Sequence, residues 1–214
     1  MKRHFIYLVV VAVIFAASCK KDEKESDAAV VSGTILGEHA NWKEVFVSFD
    51  LGKTPAAPAV PIADSKFTIT LPIPKADNLG KLLDIQIPLL DEMNAKAAYA
   101  TFYVRNDDQD EQLSLVSILT ATTVQYAYVD KDFNLKRELT LSDEQLAPLL
   151  VLLELPVDPI GLSMNLVLDL NLKSGWNTVL NSVSLLSSTI SIKDGKVPIS
   201  AQWIAAKDVN LPSL

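Results

Sequence analysis

The reactive side chains of this 214-residue chain are few: one thiol, two imidazoles and a scatter of carboxylates. The thiol is Cys19, placed behind an apolar run and ahead of a charged one. His4 lies in the basic start of the chain, so His39 is the sole imidazole of the remainder. A histidine-based triad would have to use it, yet GEHANWKE reads as a loop between strands. One histidine and no spare cysteine leave too few ligands for a zinc site of the usual type. No HExxH, GxSxG or Gly-rich phosphate loop is present, and no catalytic residue is assigned. Carboxylates crowd the loop NDDQDE, where Asp107, Asp108, Asp110 and Glu111 form a candidate calcium site, because calcium takes several hard oxygen ligands. The competing reading is a solvated acidic hairpin loop, since the spacing is not that of the twelve-residue calcium loop and no glycine permits a tight wrap. Asp130 and Asp132 flank Lys131, which is expected to neutralise them. Glycoside hydrolysis needs two carboxylates about 5–10 Å apart, and nothing in the sequence pairs two of them. Aromatic rings are the remaining candidates. Tyr99 and Tyr103 share one face of AAYATFYVR, and Trp42, Trp176 and Trp203 fall near strands or turns; such amphipathic rings suit sugars and peptides. Trp176 and Trp203 could equally plug the ends of a core.

Cys19 gains meaning from its surroundings. Lys2, Arg3 and His4 make a basic start, Phe5–Ala17 an apolar segment of thirteen residues, and Ala16, Ala17 and Ser18 a small-residue end. That order is a secretory signal peptide over 1–18, and the apolar part is shorter than the roughly 20 residues that span a bilayer. Small-small-Cys at this place resembles the lipobox of bacterial lipoproteins. The resemblance implies cleavage before Cys19, a diacylglyceryl thioether on its sulfur and acylation of the new amine. Several acyl chains hold a protein firmly to a membrane where one does not. The run from Lys20 to Asp27 has no apolar residue and reads as a solvated tether over 19–28. A lysine-acidic run just past the lipidated cysteine is similar to the export signal of Bacteroidetes-type surface lipoproteins, which implies the outer membrane with the cell surface as the facing side; a periplasmic-facing anchor is the alternative.

Losing residues 1–18 takes the formal charge from -7 to -9. That acidic balance argues against nucleic acid as a partner. With Cys19 acylated no thiol is left, so the body, 29–214, must be held by its core without a disulfide. The 196 residues from Cys19 to Leu214 are long enough for a sizeable core, as one large β domain or two small ones with a split near 106–122.

The elements that must position these side chains are strands. Alternation runs through VVSGTIL (Val31, Gly33, Ile35), EVFVSFD (Val45, Val47, Phe49) and KFTITLPIP (Phe67, Ile69, Leu71, Ile73). Pro72 and Pro74 make the last an edge or a strand end. Leu83, Ile85 and Ile87 could form another strand. AAYATFYVR sets Ala98, Ala100, Phe102 and Val104 against Tyr99, Thr101 and Tyr103. LSLVSIL and TTVQYAYVD follow. TLSDEQ carries a capping-box signal, Ser142 three before Gln145, and LLVLLEL suits helix or strand. MNLVLDLNL alternates most clearly, with Met164, Leu166, Leu168, Leu170 and Leu172 on one side. KSG turns into WNTVLNSVSLL, then TISIKDG and VPISAQWIA, with Asp194-Gly195 as a hairpin turn. The expectation is all-β: an antiparallel β-sandwich, one or two, after the signal peptide and tether.

Two body stretches carry resemblances. Val30–Pro74 is similar to carboxypeptidase-regulatory-like, prealbumin-like β-sandwich modules, although Asp64 is followed by Ser65 where that pattern has glycine. Thr123–Leu180 looks like a group of uncharacterised bacterial lipoproteins with a tyrosine-rich strand ending in Asp (Tyr126, Tyr128, Asp130, Asp132) and a later Leu-Lys-x-Gly-Trp-Asn (Leu172 to Asn177). These resemblances imply a β-rich, non-catalytic surface or periplasmic protein. The expected function is a membrane-anchored lipoprotein presenting a binding or structural surface to protein or glycan, without a required cofactor. The alternatives are an acid-using hydrolase acting on glycans and a carrier of lipid or small molecules, whose cavity LLVLLEL and MNLVLDLNL could line.

Overall fold

The computed structural model describes residues 28–37, 42–50, 54–81, 95–106, 109–142, 144–146, 164–184 and 186–209. Cys19, His39, Asp107, Asp108 and the proposed strand at Leu83–Ile87 lie outside them, as does LLVLLEL. The fold is all-β. Its strands are β1 (Val30–Thr34), β2 (Glu44–Ser48), β3 (Val60–Pro61), β4 (Lys66–Thr70), β5 (Gly80–Lys81), β6 (Lys96–Arg105), β7 (Asp110–Ser117), β8 (Thr122–Val129), β9 (Phe133–Leu141), β10 (Met164–Leu172), β11 (Gly175–Ser184), β12 (Thr189–Asp194) and β13 (Gln202–Ala205).

β1 and β4 pair as a small sheet. The others form one large sheet in the order β3-β2-β6-β7-β8-β11-β12-β10-β9, with β13 joined to β7 and β5 to β6. The 106–122 stretch therefore links strands that are neighbours in a single sheet.

The alternation seen in the sequence decides which face each side chain takes. In β6, Ala100, Phe102 and Val104 enter one core while Ala97 enters another. The same division runs through β8 and β11. Val124 and Leu180, opposite one another, pack with Trp203, Val31 and Ile69, whereas Ala127, Val129, Val179 and Val183 pack with the leucines of β10. The large sheet thus carries a hydrophobic core on each face. The five alternate apolar residues of β10, Met164 to Leu172, are no more than 2% exposed. Burial of each such side chain contributes about 1.5–3 kcal/mol.

Two connections differ from the expected hairpins, and one pairing is parallel. β10 and β11 are joined by Lys173-Ser174 alone, yet they do not pair as a hairpin; β12 lies between them, parallel to β10 and antiparallel to β11. Both edges of β12 are then occupied, so Asp194-Gly195 cannot turn the chain into a hairpin partner. Instead the Gly195 N–H donates to the Thr178 carbonyl at 3.2 Å, and β13 crosses to pair with β7. β13 also meets the end of β1: Ile35 bridges to Trp203, and the Leu36 N–H donates to the Trp203 carbonyl at 2.8 Å. At this crossing Gly33 leaves room for the indole of Trp203, whose ring atoms occupy the space a Cβ there would need. The capping signal is realised locally, with the Ser142 N–H donating to Gln145 Oε1 at 3.1 Å before the helical turn Glu144–Leu146.

Candidate functional site

The densest polar cluster among the described residues lies where the β8–β9 and β10–β11 turns meet. Asp130 ends β8 and returns to β6: its Oδ1 accepts from the Lys96 N–H at 2.9 Å, and its own N–H donates to the Lys96 carbonyl at 3.1 Å. Asp132 reaches across to the other turn. Its Oδ1 accepts from the Ser174 N–H and its Oδ2 from Lys173 Nζ, both at 2.9 Å. The Ser174 hydroxyl donates to the Asp130 carbonyl at 3.3 Å. Asn177 closes the second turn on itself, accepting from the Lys173 N–H at 2.9 Å and donating to the carbonyls of Lys173 (2.6 Å) and Gly175 (2.9 Å). Gly175 sits at φ 103°, a region that favours glycine. Trp176 follows opposite Tyr128, ring to ring at 5.6 Å and 75°.

The Ser174 N–H, and then the Lys173 ammonium, hold the Asp132 carboxyl below its ordinary value. The cation that pairs with Asp132 is Lys173, not the adjacent Lys131 expected from sequence. The Asp-x-Asp and Lys-Ser-Gly-Trp-Asn residues are therefore brought together, and their hydrogen-bonding groups hold each other. This is a brace for a sheet corner.

Asp110 and Glu111 of the acidic hairpin are adjacent in β7 and point to opposite faces. Asp110 pairs with Arg105, Nε to Oδ1 at 3.1 Å, and the guanidinium lies over the Phe46 ring at 4.7 Å. Glu111 pairs with Lys207 at 2.7 Å. Each is matched by its own cation, and the two do not converge. Among the described residues no group of three or more His, Cys, Asp or Glu could hold a metal ion. Asp107 and Asp108 lie outside those residues.

The five candidate rings divide between faces. Tyr99 packs against the core of β10, where burial pushes its phenol upward. Tyr103, 3% exposed, stacks on Phe46 at 5.3 Å and 19°. Trp203, also 3% exposed, stands against Phe67 at 5.3 Å and Phe102 at 4.6 Å inside the second core. Trp176 is half-buried between Tyr128 and Phe49, with its Nε1 buried and unbonded. Trp42 lines a small pocket with Ile35, Gly37, Ile62 and Ser65 whose volume is about 10 Å³, room for roughly one water. The stack of Phe46, Tyr103 and Arg105 was not read from sequence. Its signal was present as Tyr103 and Arg105, two apart and so on one face of the strand.

No family model, curated protein or solved structure matches the chain.

Proposed function

We propose that this chain is a non-catalytic lipoprotein, anchored through Cys19 to the outer membrane and facing outward, whose β-rich body presents a binding or structural surface to protein or glycan. The observation that carries the reading is the order basic start, apolar segment, small residues, Cys19 and charged run, followed at Val30 by the first strand. The packing of β1–β4 over the β2, β6 and β7 part of the large sheet supports a sandwich-like arrangement in that half of the body. The pairing of Asp110, Glu111 and Asp132 with cations favours a surface over an acid-using hydrolase.

An alkynyl fatty acid fed to producing cells tests the anchor. The wild-type chain is expected to take up label and sediment with membranes. Cys19→Ala is expected to lose both. Label retained by Cys19→Ala, or absent from the wild type, would overturn the reading. Protease added to intact cells then tests the facing side: a body that survives until lysis faces the periplasm.

A further inference from the structure

We infer that the free edge of β9 is a homodimer contact, pairing antiparallel with β9 of a second copy of this chain about a two-fold axis through Arg137. β9 is a nine-residue strand at the end of the large sheet, hydrogen-bonded to β10 along its whole length and, among the described residues, to no strand on its other side. A long strand with an open row of N–H and C=O groups is a template for another strand, and a closed dimer makes that contact self-complementary.

The sequence of the edge, FNLKRELTL, selects both occupant and register. About an axis through Arg137, Phe133 faces Leu141, Leu135 faces Leu139, Asn134 faces Thr140 and Lys136 faces Glu138. Apolar residues meet apolar ones on the face that also carries the β10 leucines, and opposite charges meet on the other. Moving the axis to Lys136 sets that lysine against itself and Leu135 against Arg137. Moving it to Glu138 sets two glutamates together and Leu139 against Arg137. The central register matches both faces at every pair off the axis; on the axis it sets the two Arg137 side chains opposite one another on the core-side face, a like-charge contact that weakens the pairing. In the single chain the Arg137 Nη1 donates to the Lys136 carbonyl at 3.2 Å. Glu138 has no ion-pair partner among the described residues, whereas Lys136 already holds Asp169 at 3.5 Å. In the dimer the second copy's Lys136, whose pair with Asp169 is exposed and long, faces Glu138. Phe133, Leu135 and Leu139 are each half-buried on the core side, and the matching strand extends that apolar row past the edge.

The test uses the full chain with Cys19→Ser, so that introduced thiols stand alone, under mild copper-phenanthroline oxidation. Directly opposed residues of an antiparallel pair have Cα atoms about 4.5–5.5 Å apart, within reach of a disulfide. Arg137→Cys is expected to cross-link with itself. Leu135→Cys and Leu139→Cys are each expected to give no covalent dimer alone and to cross-link when mixed. Sedimentation of the same chain without added thiols gives the second measurement. Glu138→Lys is expected to raise the dimer dissociation constant about three- to tenfold by setting lysines opposite one another twice, and the exchange Lys136→Glu with Glu138→Lys to recover most of the loss. Cross-linking at 135 alone as efficient as at 137, a chain that stays monomeric and gives no mixed cross-link, or a dissociation constant indifferent to Glu138→Lys would each overturn the proposal.

Discussion

Asp64 and Ser65 occupy the tightest turn described, a two-residue link between the bridged Ala63 and Lys66, with φ of 51° and 58°. Consecutive left-handed residues define the mirror-image turn that suits the twist of a hairpin, and its second position favours glycine. Ser65 thus occupies a position that favours glycine, at some strain. Ser65→Gly is expected to raise unfolding free energy by about 0.5–1 kcal/mol, after the entropy glycine adds to the unfolded chain, as measured by urea titration. Asp132 gives a pH signature. Its folded pKa is depressed by the Ser174 N–H and Lys173, so its contribution is fully present above the ordinary carboxylate value, about 3.9. It is lost as pH falls through the folded value. The protection factor of the Ser174 amide, its exchange relative to the intrinsic rate at each pH, is therefore expected to fall on acidification below about pH 4, and Asp132→Ala to show low protection already at neutral pH with no such step. At this scale the sequence marked the motif residues but not their partners. Asp132 and Lys173 are 41 residues apart, and proximity in sequence pointed to Lys131 instead.

β10 shows how far one strand can be read alone. Its period-two pattern placed Met164, Leu166, Leu168, Leu170 and Leu172 on the buried face, and all five are there. Leu168→Ala is expected to cost about 2–5 kcal/mol in denaturant titration. Asp169→Ala, one residue on, is expected to stay within about 0.5 kcal/mol, because its ion pair with Lys136 is exposed and long at 3.5 Å. Pattern fixes a face, not a neighbour. The chain between β10 and β11 is short enough for a hairpin, so nothing local announces that β12 will separate them. The aromatic candidates failed to form one surface for a related reason. Alternation divided Tyr99 and Tyr103 from Phe102 correctly, but a sheet with a core on each face buries both sides, where a one-sided sheet would have left one of them wet.

For the whole molecule the late strands matter most. Among the described residues β12 is the strand that pairs the β8–β11 half of the large sheet with the β9–β10 half, and β13 brings Trp203 between the small sheet and the large one. A chain ending at Ser188 has neither. It is expected to show no cooperative thermal transition and to bind a hydrophobic dye, with near-ultraviolet dichroism and dye fluorescence as the readings. Broad composition and alternation were enough to reveal an all-β body, whereas this dependence on its last strands was hidden, since it arises from partners some 90 positions away such as Leu115 and Trp203.

The position of β12 and β13 also sets an order of events. In a chain made N-terminus first, β1 to β11 are complete before the two strands that join the halves of the large sheet and bring Trp203 to the small one. Both cores therefore stay open to water until Ala205 has been made.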